Sequence, residues 1–435
     1  LEAAASGELV AYQLNPGPEA LDKLRARLLT RRPALVLLSS DPGVDLGVPA
    51  AVVMPGKWAE ALGILCDHFY PIPRRLQLLA VTGTNGKTTT ADLVLQLGEA
   101  AGKQGFSIGT LGVRRRGKTV EEFGLTTPGQ LQLRRLLHRY GQDADFCAME
   151  VSSHALDQGR VAGLAFAAAA WTNITQDHLD YHGTMANYFA AKRKILDYLR
   201  PGAKLFVPAS QEELLERLSD DPRATPAARL AGELRDQLPV FFRSSFNREN
   251  LSCALSLVSA LGIEGVRLPL GQLVPPPGRF YTRAWAKRVA IVDFAHTPDA
   301  LENLLAAVVD AFPGRDVITL FGCGGDRDRT KRPRMGAIAE KFSKQVIVTS
   351  DNPRSEDPRR IIEDIAAGFV HPAKHRVCVD RPQAVREALA SLAVDQVLVL
   401  AGKGHEDGIV IGTKKIPYSD VEEVDRYIHS QEEMP

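Results

Sequence analysis

The segment VTGTNGKTTT at residues 81–90 carries the residue types that bind phosphate. An apolar run leads into Val81 and apolar residues at helical spacing follow, which predicts a strand, a glycine turn and a helix. Backbone N–H groups at such a helix start attract an anion, Lys87 adds a positive charge, and Thr88 can ligate a magnesium ion. The strict phosphate-loop pattern requires glycine where Val81 stands, so a glycine-rich turn with an incidental lysine is the alternative.

Polar clusters follow four predicted strands in the last third of the chain. The predicted strands are 289–292, 317–321, 346–348, 377–379 and 397–400, and they alternate with predicted helices at 298–312, 332–342, 358–369 and 382–392. Such alternation predicts a parallel, doubly wound sheet. The polar clusters lie at 293–296, 322–328, 351–354 and 402–406. Because ligands bind at the carboxyl ends of parallel strands, the four clusters predict one binding crevice.

Ionisable residues also gather in the middle of the chain. Glu150 ends a predicted strand at 146–149, next in order to a strand at 166–171. A carboxylate there can serve a metal ion, or it can cap a helix or pair with a cation. The four ionisable residues Asp177, His178, Asp180 and His182 lie within six positions. They indicate a metal-binding or phosphate-binding site, and ordinary structural roles are the alternative.

Lys192 falls on the apolar stripe of a helix predicted to start near Thr184. The stripe residues are Met185, Tyr188, Phe189, Ile195, Leu196 and Leu199. A lysine on a buried face either extends its ammonium to solvent, or is paired or modified. Spacing alone favours the first of these explanations.

Composition and charge bound the class of protein. The 435 residues predict two or three domains, and 53 Lys and Arg against 52 Asp and Glu give no electrostatic case for nucleic acid or an anionic membrane. We find no apolar run near 18 residues and no signal pattern, so no membrane span is expected. The five cysteines are scattered, and all but Cys323 lie in apolar stretches, which predicts reduced core residues in a cytoplasmic protein.

A proline-rich run at 274–278 is typical of a hinge. We therefore predict domains at 1–74, 75–279 and 280–435, the first a small α/β unit with strand candidates at 34–38 and 50–53. The segment 209–237 is predicted to be surface helix or loop.

Ten motifs, in order, resemble those of the Mur ligases, and closely the UDP-N-acetylmuramoyl-tripeptide synthetases. They are GTNGKTT at 83–89, TTPG at 126–129, MEVSSH at 149–154, QGR at 158–160, DHLDYHGT at 177–184, AK at 191–192, DFAHTPD at 293–299, the glycine cluster at 322–328, DNPR at 351–354 and GKGHE at 402–406. A set of this size in one order is far more specific than any single motif.

The resemblance implies an α/β protein of three domains, with a central phosphate-loop ATPase domain on a parallel sheet and a Rossmann-like C-terminal domain. It implies an ATP-dependent ligase of peptidoglycan synthesis that joins a diamino acid to the D-Glu γ-carboxylate of UDP-MurNAc-L-Ala-D-Glu through an acyl phosphate. ATP and two Mg²⁺ ions are the implied cofactors. A monomer is expected.

The resemblance also assigns site residues. Catalytic residues would be Lys87, Glu150, His178 and Lys192. ATP would contact Gly83, Thr84, Asn85, Gly86, Lys87, Thr88, Thr89, Asn247, Asn250 and His296. The metal ions would be held by Thr88, Glu150, His178 and Lys192, the last as the family's carbamylated lysine. The muramoyl dipeptide would contact Thr126, Thr127, Ser152, Gln158 and Arg160. The amino acid would contact Arg327, Asp351, Asn352, Arg354, Gly402 and Glu406.

The identity of the amino acid stays open at this point. The DNPR spelling resembles enzymes that add meso-diaminopimelate, whose distal carboxylate suits an arginine fork. L-Lysine and L-ornithine are the alternatives. Two other functions remain: a ligase like folylpolyglutamate synthetase, and a nucleotide-binding module without turnover.

Overall fold

The computed structural model describes residues 9–12, 18–31, 33–54, 57–230, 237–263 and 270–432. Within these ranges, three sheets rich in parallel strands follow one another along the chain, and a two-stranded hairpin lies near the end. No helix in the described ranges is long and apolar enough to cross a membrane.

The N-terminal sheet is small, with three parallel strands in the order β1-β2-β3. The elements are β1 (Leu9–Tyr12), α1 (Pro18–Arg31), β2 (Leu35–Leu38), β3 (Ala50–Val52) and α2 (Trp58–Phe69). Leu24 and Leu28 of α1 pack on Val36 and Leu38 of β2, because alternate residues of the strand face the helix. The strands predicted at 34–38 and 50–53 are confirmed as β2 and β3, and β1 was not predicted.

The central sheet has eight strands in the order β11-β10-β9-β4-β8-β5-β6-β7, in which the β5–β6 and β6–β7 pairs are antiparallel and the other pairs are parallel. The strands are β4 (Gln77–Thr82), β5 (Gly105–Gly109), β6 (Gly112–Arg115), β7 (Lys118–Glu121), β8 (Phe146–Glu150), β9 (Ala168–Trp171), β10 (Leu205–Val207) and β11 (Ala224–Pro226). The helices are α3 (Lys87–Ala100), α4 (Gln130–Gly141), α5 (Ser153–Asp157), α6 (Leu179–His182), α7 (Met185–Arg193), α8 (Glu212–Arg217) and α9 (Ser245–Ser259).

Strand register brings the predicted phosphate-binding turn and Glu150 together at one edge of the central sheet. Val81 pairs with Glu150 on one side of β4, and Thr82 pairs with Trp171 on the other. The glycine turn after β4 therefore emerges between the end of β8 and the loop that follows β9. Apolar residues of α3 and α9 pack together on one face of the sheet, which holds the start of α3 in place.

The C-terminal sheet has six strands in the order β12-β13-β17-β14-β15-β16, parallel except for β12 at the edge. The strands are β12 (Tyr281–Trp285), β13 (Arg288–Asp293), β14 (Asp316–Phe321), β15 (Gln345–Val348), β16 (His375–Val377) and β17 (Gln396–Ala401), followed by the hairpin β18 (Gly408–Ile411) and β19 (Lys414–Pro417). The helices are α10 (Pro298–Ala311), α11 (Lys331–Phe342), α12 (Pro358–Ala366), α13 (Arg381–Ser391) and α14 (Asp420–Glu432). The predicted parallel, doubly wound sheet is confirmed.

Several local expectations need correction. The strand expected at 377–379 lies two residues earlier, as β16, because it is a half-exposed edge strand whose apolar pattern is weak. The segment 209–237 contains a strand, β11, as well as helix α8. Thr184 caps α7 by accepting a hydrogen bond from Asn187 N, as the predicted helix start requires, but the helix tightens into a 3₁₀ turn after Arg193.

The five cysteines are free. Cys66, Cys147 and Cys253 are buried, as expected, and burial raises the pKa of each thiol. Cys323 is buried as well, although it lies outside an apolar stretch, and the expectation was wrong only for Cys378, which is partly buried.

Candidate active site

The turn between β4 and α3 has the backbone shape of a phosphate loop. Gly86 precedes the helix with φ 83°, and a side chain there would meet the Asn250 Oδ1 atom at 2.2 Å. Gly83 has φ 144° and is packed against Thr172 in the same way. Only glycine fits both positions, so the helix N-terminus is left open to an anion.

Two lysines converge beneath this loop. Lys87 Nζ donates to Gly83 O at 3.0 Å and to Thr84 O at 2.8 Å, and Lys192 Nζ donates to Gly83 O at 2.6 Å. Burial and the neighbouring Lys87 charge hold the pKa of Lys192 well below its ordinary value. Lys192 is 1% exposed and its Nζ lies 4.6 Å from the centre of the Tyr188 ring. The sequence-level preference for a solvent-directed ammonium is therefore wrong.

Glu150 faces the phosphate loop from the end of β8. Its carboxylate is 2% exposed and accepts from Thr110 N at 2.9 Å and from Thr110 Oγ1 at 3.1 Å. Glu150 and Thr88 both line a cleft between the central and C-terminal sheets. No salt bridge to a cation and no helix cap within the described residues occupies this carboxylate, so the two structural alternatives for Glu150 receive no support.

His178 stands at the mouth of the cleft with a strained backbone, φ 54°, at the start of α6. Its Nε2 atom lies 3.4 Å from Asp177 Oδ2, and burial lowers the pKa of His178 to about 3. The ring is therefore neutral near pH 7 and has a lone pair to offer.

The described residues contain no cluster of three His, Cys, Asp or Glu side chains that would hold a metal ion alone. This arrangement fits Mg²⁺, which takes one or two protein oxygen ligands and obtains the rest from water and substrate phosphates. Thr88 and Glu150 supply such oxygens beside the phosphate loop.

The residues predicted to bind the muramoyl dipeptide form a hydrogen-bonded group next to Glu150. Thr127 Oγ1 donates to Glu150 O at 2.9 Å and accepts from Ser152 N at 3.0 Å. Arg160 Nη1 donates to Thr127 O at 2.8 Å and its other nitrogens contact Gln158 Oε1. Thr126 lines the main cleft, whereas Thr127, Ser152, Gln158 and Arg160 lie beside it.

One cleft joins the central and C-terminal sheets. It has a volume of about 350 Å³ and is lined from the central part by Thr84, Asn85, Gly86, Lys87, Thr88, Thr89, Glu150, His178, Asn247 and Asn250. From the C-terminal part it is lined by His296, Arg327, Asp351, Asn352, Arg354, Gly402 and Glu406. All four polar clusters predicted at strand ends thus reach the same cleft. Gly83 and Lys192 lie under its floor.

Asn247, Asn250 and His296 lie at the end of the cleft that has aromatic walls. Phe241, Phe246, Phe280 and Phe294 line it. Asn247 Oδ1 accepts from Asn250 Nδ2 at 3.1 Å, and His296 Nδ1 contacts Phe294 O at 2.8 Å. A flat heterocycle fits between aromatic side chains with amides at its rim.

The lining that comes from the C-terminal part of the chain also carries two arginines and a carboxylate. Burial and the like charge of Arg327 lower the pKa of Arg354. Arg354 Nη1 donates to Gly325 O at 2.8 Å and forms no ion pair with a described carboxylate. Glu406 Oε2 accepts from Asn352 Nδ2 at 2.9 Å. This part of the lining offers cations for a carboxylate and an anion for an ammonium group, which is the pattern of an amino-acid site.

Comparisons with known proteins agree with this geometry. The profile "Mur ligase middle domain" matches residues 81–227, and "Mur ligase, glutamate ligase domain" matches residues 278–404. The UDP-N-acetylmuramoyl-L-alanyl-D-glutamate–2,6-diaminopimelate ligase of Ectopseudomonas mendocina is 37% identical, over 94% of this chain and 89% of its own length. The enzyme of the same name from Thermosynechococcus vestitus is 40% identical, over 86% and 81%. The chain belongs to the Mur ligase family.

A solved structure of a ligase with that name is 28% identical and has a TM-score of 0.62, covering 100% of this chain and 94% of its own. The three-domain Mur ligase fold is therefore the fold of this protein, and the protein is an ATP-dependent ligase.

Among the residues of this Mur ligase cleft that sequence reasoning missed is Arg279. Arg279, just after the hinge, points into the cleft from between the two sheets, with its guanidinium 4.7 Å from the centre of the Phe294 ring. Its Nε atom is buried without a hydrogen-bond partner, and burial lowers the pKa of the side chain. Its position directly after the proline-rich run was a signal that sequence reasoning did not use.

Direct bonds between the two sheets were also missed. Asn85 Nδ2 donates to Asp299 Oδ2 at 2.8 Å, and Gln176 Nε2 donates to Thr330 Oγ1 at 3.0 Å. Arg334 Nη1 donates to Gln176 Oε1 at 2.8 Å. These bonds tie the central part of the chain to the C-terminal part beside the cleft.

Proposed function

We propose that this Mur ligase transfers the terminal phosphoryl group of ATP to the D-Glu γ-carboxylate of UDP-MurNAc-L-Ala-D-Glu, and then joins that acyl group to an amine of meso-diaminopimelate. Phosphorylation converts a poor electrophile into an acyl phosphate with a good leaving group. The amine attacks the acyl carbon, a tetrahedral intermediate forms, and inorganic phosphate leaves. The product is a muramoyl tripeptide for peptidoglycan synthesis, in the cytoplasm, where free cysteines are expected.

The phosphate loop supports nucleotide binding in one part of the cleft. The open helix N-terminus of α3 and the Lys87 ammonium would hold the phosphates, with Thr84, Asn85 and Thr89 along the loop. The aromatic end, with Asn247, Asn250 and His296, would hold the base. Arg279 reaches between the two ends and would neutralise charge that develops on the transferred group.

Magnesium binding is supported by the donor set. Thr88 and Glu150 would hold one ion against the phosphates, and neutral His178 with a carbamylated Lys192 would serve a second. A bound divalent ion would offset phosphate charge. Carbamylation converts a buried amine into a carboxylate, and the lowered pKa of Lys192 favours it, because only a neutral amine attacks carbon dioxide.

The muramoyl dipeptide, which accepts the phosphoryl group, would lie between the nucleotide-binding and amino-acid-binding parts of the cleft. Thr126, Thr127, Ser152, Gln158 and Arg160 form a connected rim beside Glu150, and a dipeptide bound there would have its carboxylate next to the phosphoryl donor. On this proposal residues 1–74 hold the UDP-sugar, 75–279 hold ATP and 280–435 hold the amino acid.

The choice of diaminopimelate depends on the paired arginines. Arg327 and Arg354 form no ion pair with a described carboxylate, and both side chains lie beside Gly324, where their like charges repel each other. A distal carboxylate that joins them would relieve this repulsion, whereas lysine and ornithine carry an ammonium group there. The two Mur ligases compared above are named for diaminopimelate.

The observation that carries the proposal is that Lys87 and Arg354 line one cleft. Phosphate release should be measured with ATP and the muramoyl dipeptide, in separate reactions with diaminopimelate, lysine and ornithine. We expect release with diaminopimelate and little with the other two. Preference for lysine or ornithine would correct the amino acid. Turnover with a pteroyl substrate alone would favour a folylpolyglutamate synthetase, and tight ATP binding without any product would favour a non-catalytic module.

A further inference from the structure

Lys403 is a buried lysine that contacts three of the residues proposed to bind the amino acid. It lies between β17 and β18 and is 0% exposed. Its Nζ atom donates to Glu406 Oε2 at 2.9 Å and to Asn352 Oδ1 at 3.1 Å, and it lies 3.1 Å from Asp351 Oδ1. A third hydrogen bond reaches Gly408 O at 2.9 Å.

These contacts use every N–H of the ammonium group, because a lysine has three. Lys403 therefore has no donor left for a substrate. Its charge is balanced inside the protein by the carboxylates of Asp351 and Glu406, so it does not attract an anion into the cleft. A residue with these properties acts on the ligand only through its neighbours.

Glu406 is the neighbour that reaches the cleft. Both donors to its carboxylate, Lys403 Nζ and Asn352 Nδ2, contact the same oxygen, Oε2. The other oxygen, Oε1, accepts no hydrogen bond from the described residues, and Glu406 lines the cleft. The carboxylate is thus fixed on one side and presents the other to a ligand.

Asn352 is fixed in the same way. Its Oδ1 atom accepts from Lys403 Nζ and from Val410 N at 2.9 Å, which ties the loop after β15 to the β18–β19 hairpin. Lys403 therefore joins the loop after β15, the loop between β17 and β18, and the first residue of β18.

We propose that Lys403 is a positioning residue of the amino-acid site, which aims the free oxygen of Glu406 at the ammonium group of the incoming amino acid. The inference rests on the proposed function and extends it to a residue that does not touch substrate. Without Lys403, Glu406 would turn towards solvent and the repulsion between Asp351 and Glu406 would no longer be screened.

The test separates amino-acid binding from acyl phosphate formation. Lys403→Met would be compared with wild type and with Lys414→Met, which replaces an exposed lysine of strand β19 in the neighbouring hairpin. The KM values for diaminopimelate and for ATP would be measured. Acyl phosphate would be trapped with hydroxylamine in the absence of an amino acid, since hydroxylamine attacks the acyl carbon, forms a hydroxamate and releases phosphate.

We expect Lys403→Met to raise the KM for diaminopimelate about 10- to 100-fold, the usual range for losing a hydrogen bond to a charged group. The KM for ATP and the rate of hydroxamate formation should stay within about twofold of wild type. In a Glu406→Gln background the same substitution should change the KM for diaminopimelate by less than about threefold, because Lys403 acts through Glu406.

An unchanged KM for diaminopimelate, or a parallel loss of hydroxamate formation and ATP binding, would overturn the inference. Additive effects of Lys403→Met and Glu406→Gln on the KM for diaminopimelate would also overturn it. Should Lys403→Met not fold, Lys403→Arg takes its place, since a guanidinium keeps the charge but cannot reach the same three acceptors, and the same KM change is expected. Failure of the wild-type protein to form any hydroxamate would instead refute the proposed function.

Discussion

Lys87 and Lys192 donate to one and the same acceptor, the carbonyl oxygen of Gly83, at 3.0 and 2.6 Å. One lysine comes from the start of α3 and the other from the end of α7. Burial lowers the pKa of both lysines, and the positive charge of Lys87 lowers the pKa of Lys192 further. Phosphate binding would draw Lys87 to the anion, and carbamylation would remove the second positive charge.

Replacing Lys192 tests this arrangement. We expect Lys192→Ala to lose at least about 100-fold in the rate of tripeptide synthesis, because a group that stabilises phosphoryl charge is removed. Acetate or formate should restore part of the rate by occupying the space of the carbamate. The measurement is phosphate release with and without each carboxylate, and mass spectrometry of the intact wild-type protein with and without bicarbonate.

Lys194→Ala is the matched control, since Lys194 lies two residues away and pairs with Asp157 at the surface. It should keep the wild-type rate. A Lys192→Ala protein with normal activity, or a rate that no carboxylate changes, would contradict the carbamylation proposal.

The amino-acid preference is tested at Arg354. We expect Arg354→Ala to raise the KM for diaminopimelate about 10- to 100-fold, because a charged hydrogen bond to the distal carboxylate is lost. The KM for lysine should change far less. Arg329→Ala, a surface arginine of the same region that pairs with Asp364, serves as the control. Equal changes for both amino acids would remove the argument for the distal carboxylate.

The phosphate loop could be predicted because its chemistry is contiguous. Glycines, a lysine and a threonine within residues 83–88 imply both a backbone shape and a charge, and strand order then placed Glu150 beside them. The cleft at the strand ends of the C-terminal sheet could be predicted equally well, because the loops that follow parallel strands lie at one edge of the sheet.

What could not be predicted depends on long-range packing. Lys403 and Gln176 each stood inside a recognised segment, yet their roles come from partners more than 50 positions away. Lys192 shows the same limit, because spacing placed it on the buried stripe but could not show that it turns to Gly83. The short strands β5 to β7 and β18 to β19 were missed because their stretches carry too few apolar residues in alternation.

Arg279 should matter for phosphoryl transfer and little for stability. Its guanidinium lies over Phe294 and makes no ion pair in the described chain. Arg279→Lys therefore removes the planar, bidentate donor group of the guanidinium without breaking a salt bridge. We expect hydroxamate formation to slow by about 10²- to 10³-fold, as for other donors aimed at a developing charge. Arg359→Lys, an exposed arginine, should have no effect. A normal rate in Arg279→Lys would exclude contact with the transferred group.

His405 predicts a pH dependence of stability. Burial, with the charge of Arg279, lowers the pKa of His405 from 6.5 to about 4. Between these values the unfolded chain binds more protons than the folded one, so this residue makes the protein less stable as pH falls from 6.5 to 4. His405→Gln should lose less stability than wild type over that window, by at most about 3 kcal/mol. Urea unfolding at pH 7 and pH 4.5 measures the difference, and parallel losses in both proteins would contradict it.

Gln176 should control closure of the cleft. Its amide donates to Asp328 and Thr330 and accepts from Arg334, so one side chain next to His178 makes three bonds to the C-terminal domain. In Gln176→Ala we expect the open form to gain population, with KM for ATP and for diaminopimelate raised together by about three- to tenfold. Small-angle X-ray scattering should show a larger radius of gyration than in wild type. Gln142→Ala, whose amide bonds only within its own helix region, is the control. A rise in one KM alone, with unchanged scattering, would assign Gln176 to a binding site instead of to domain closure.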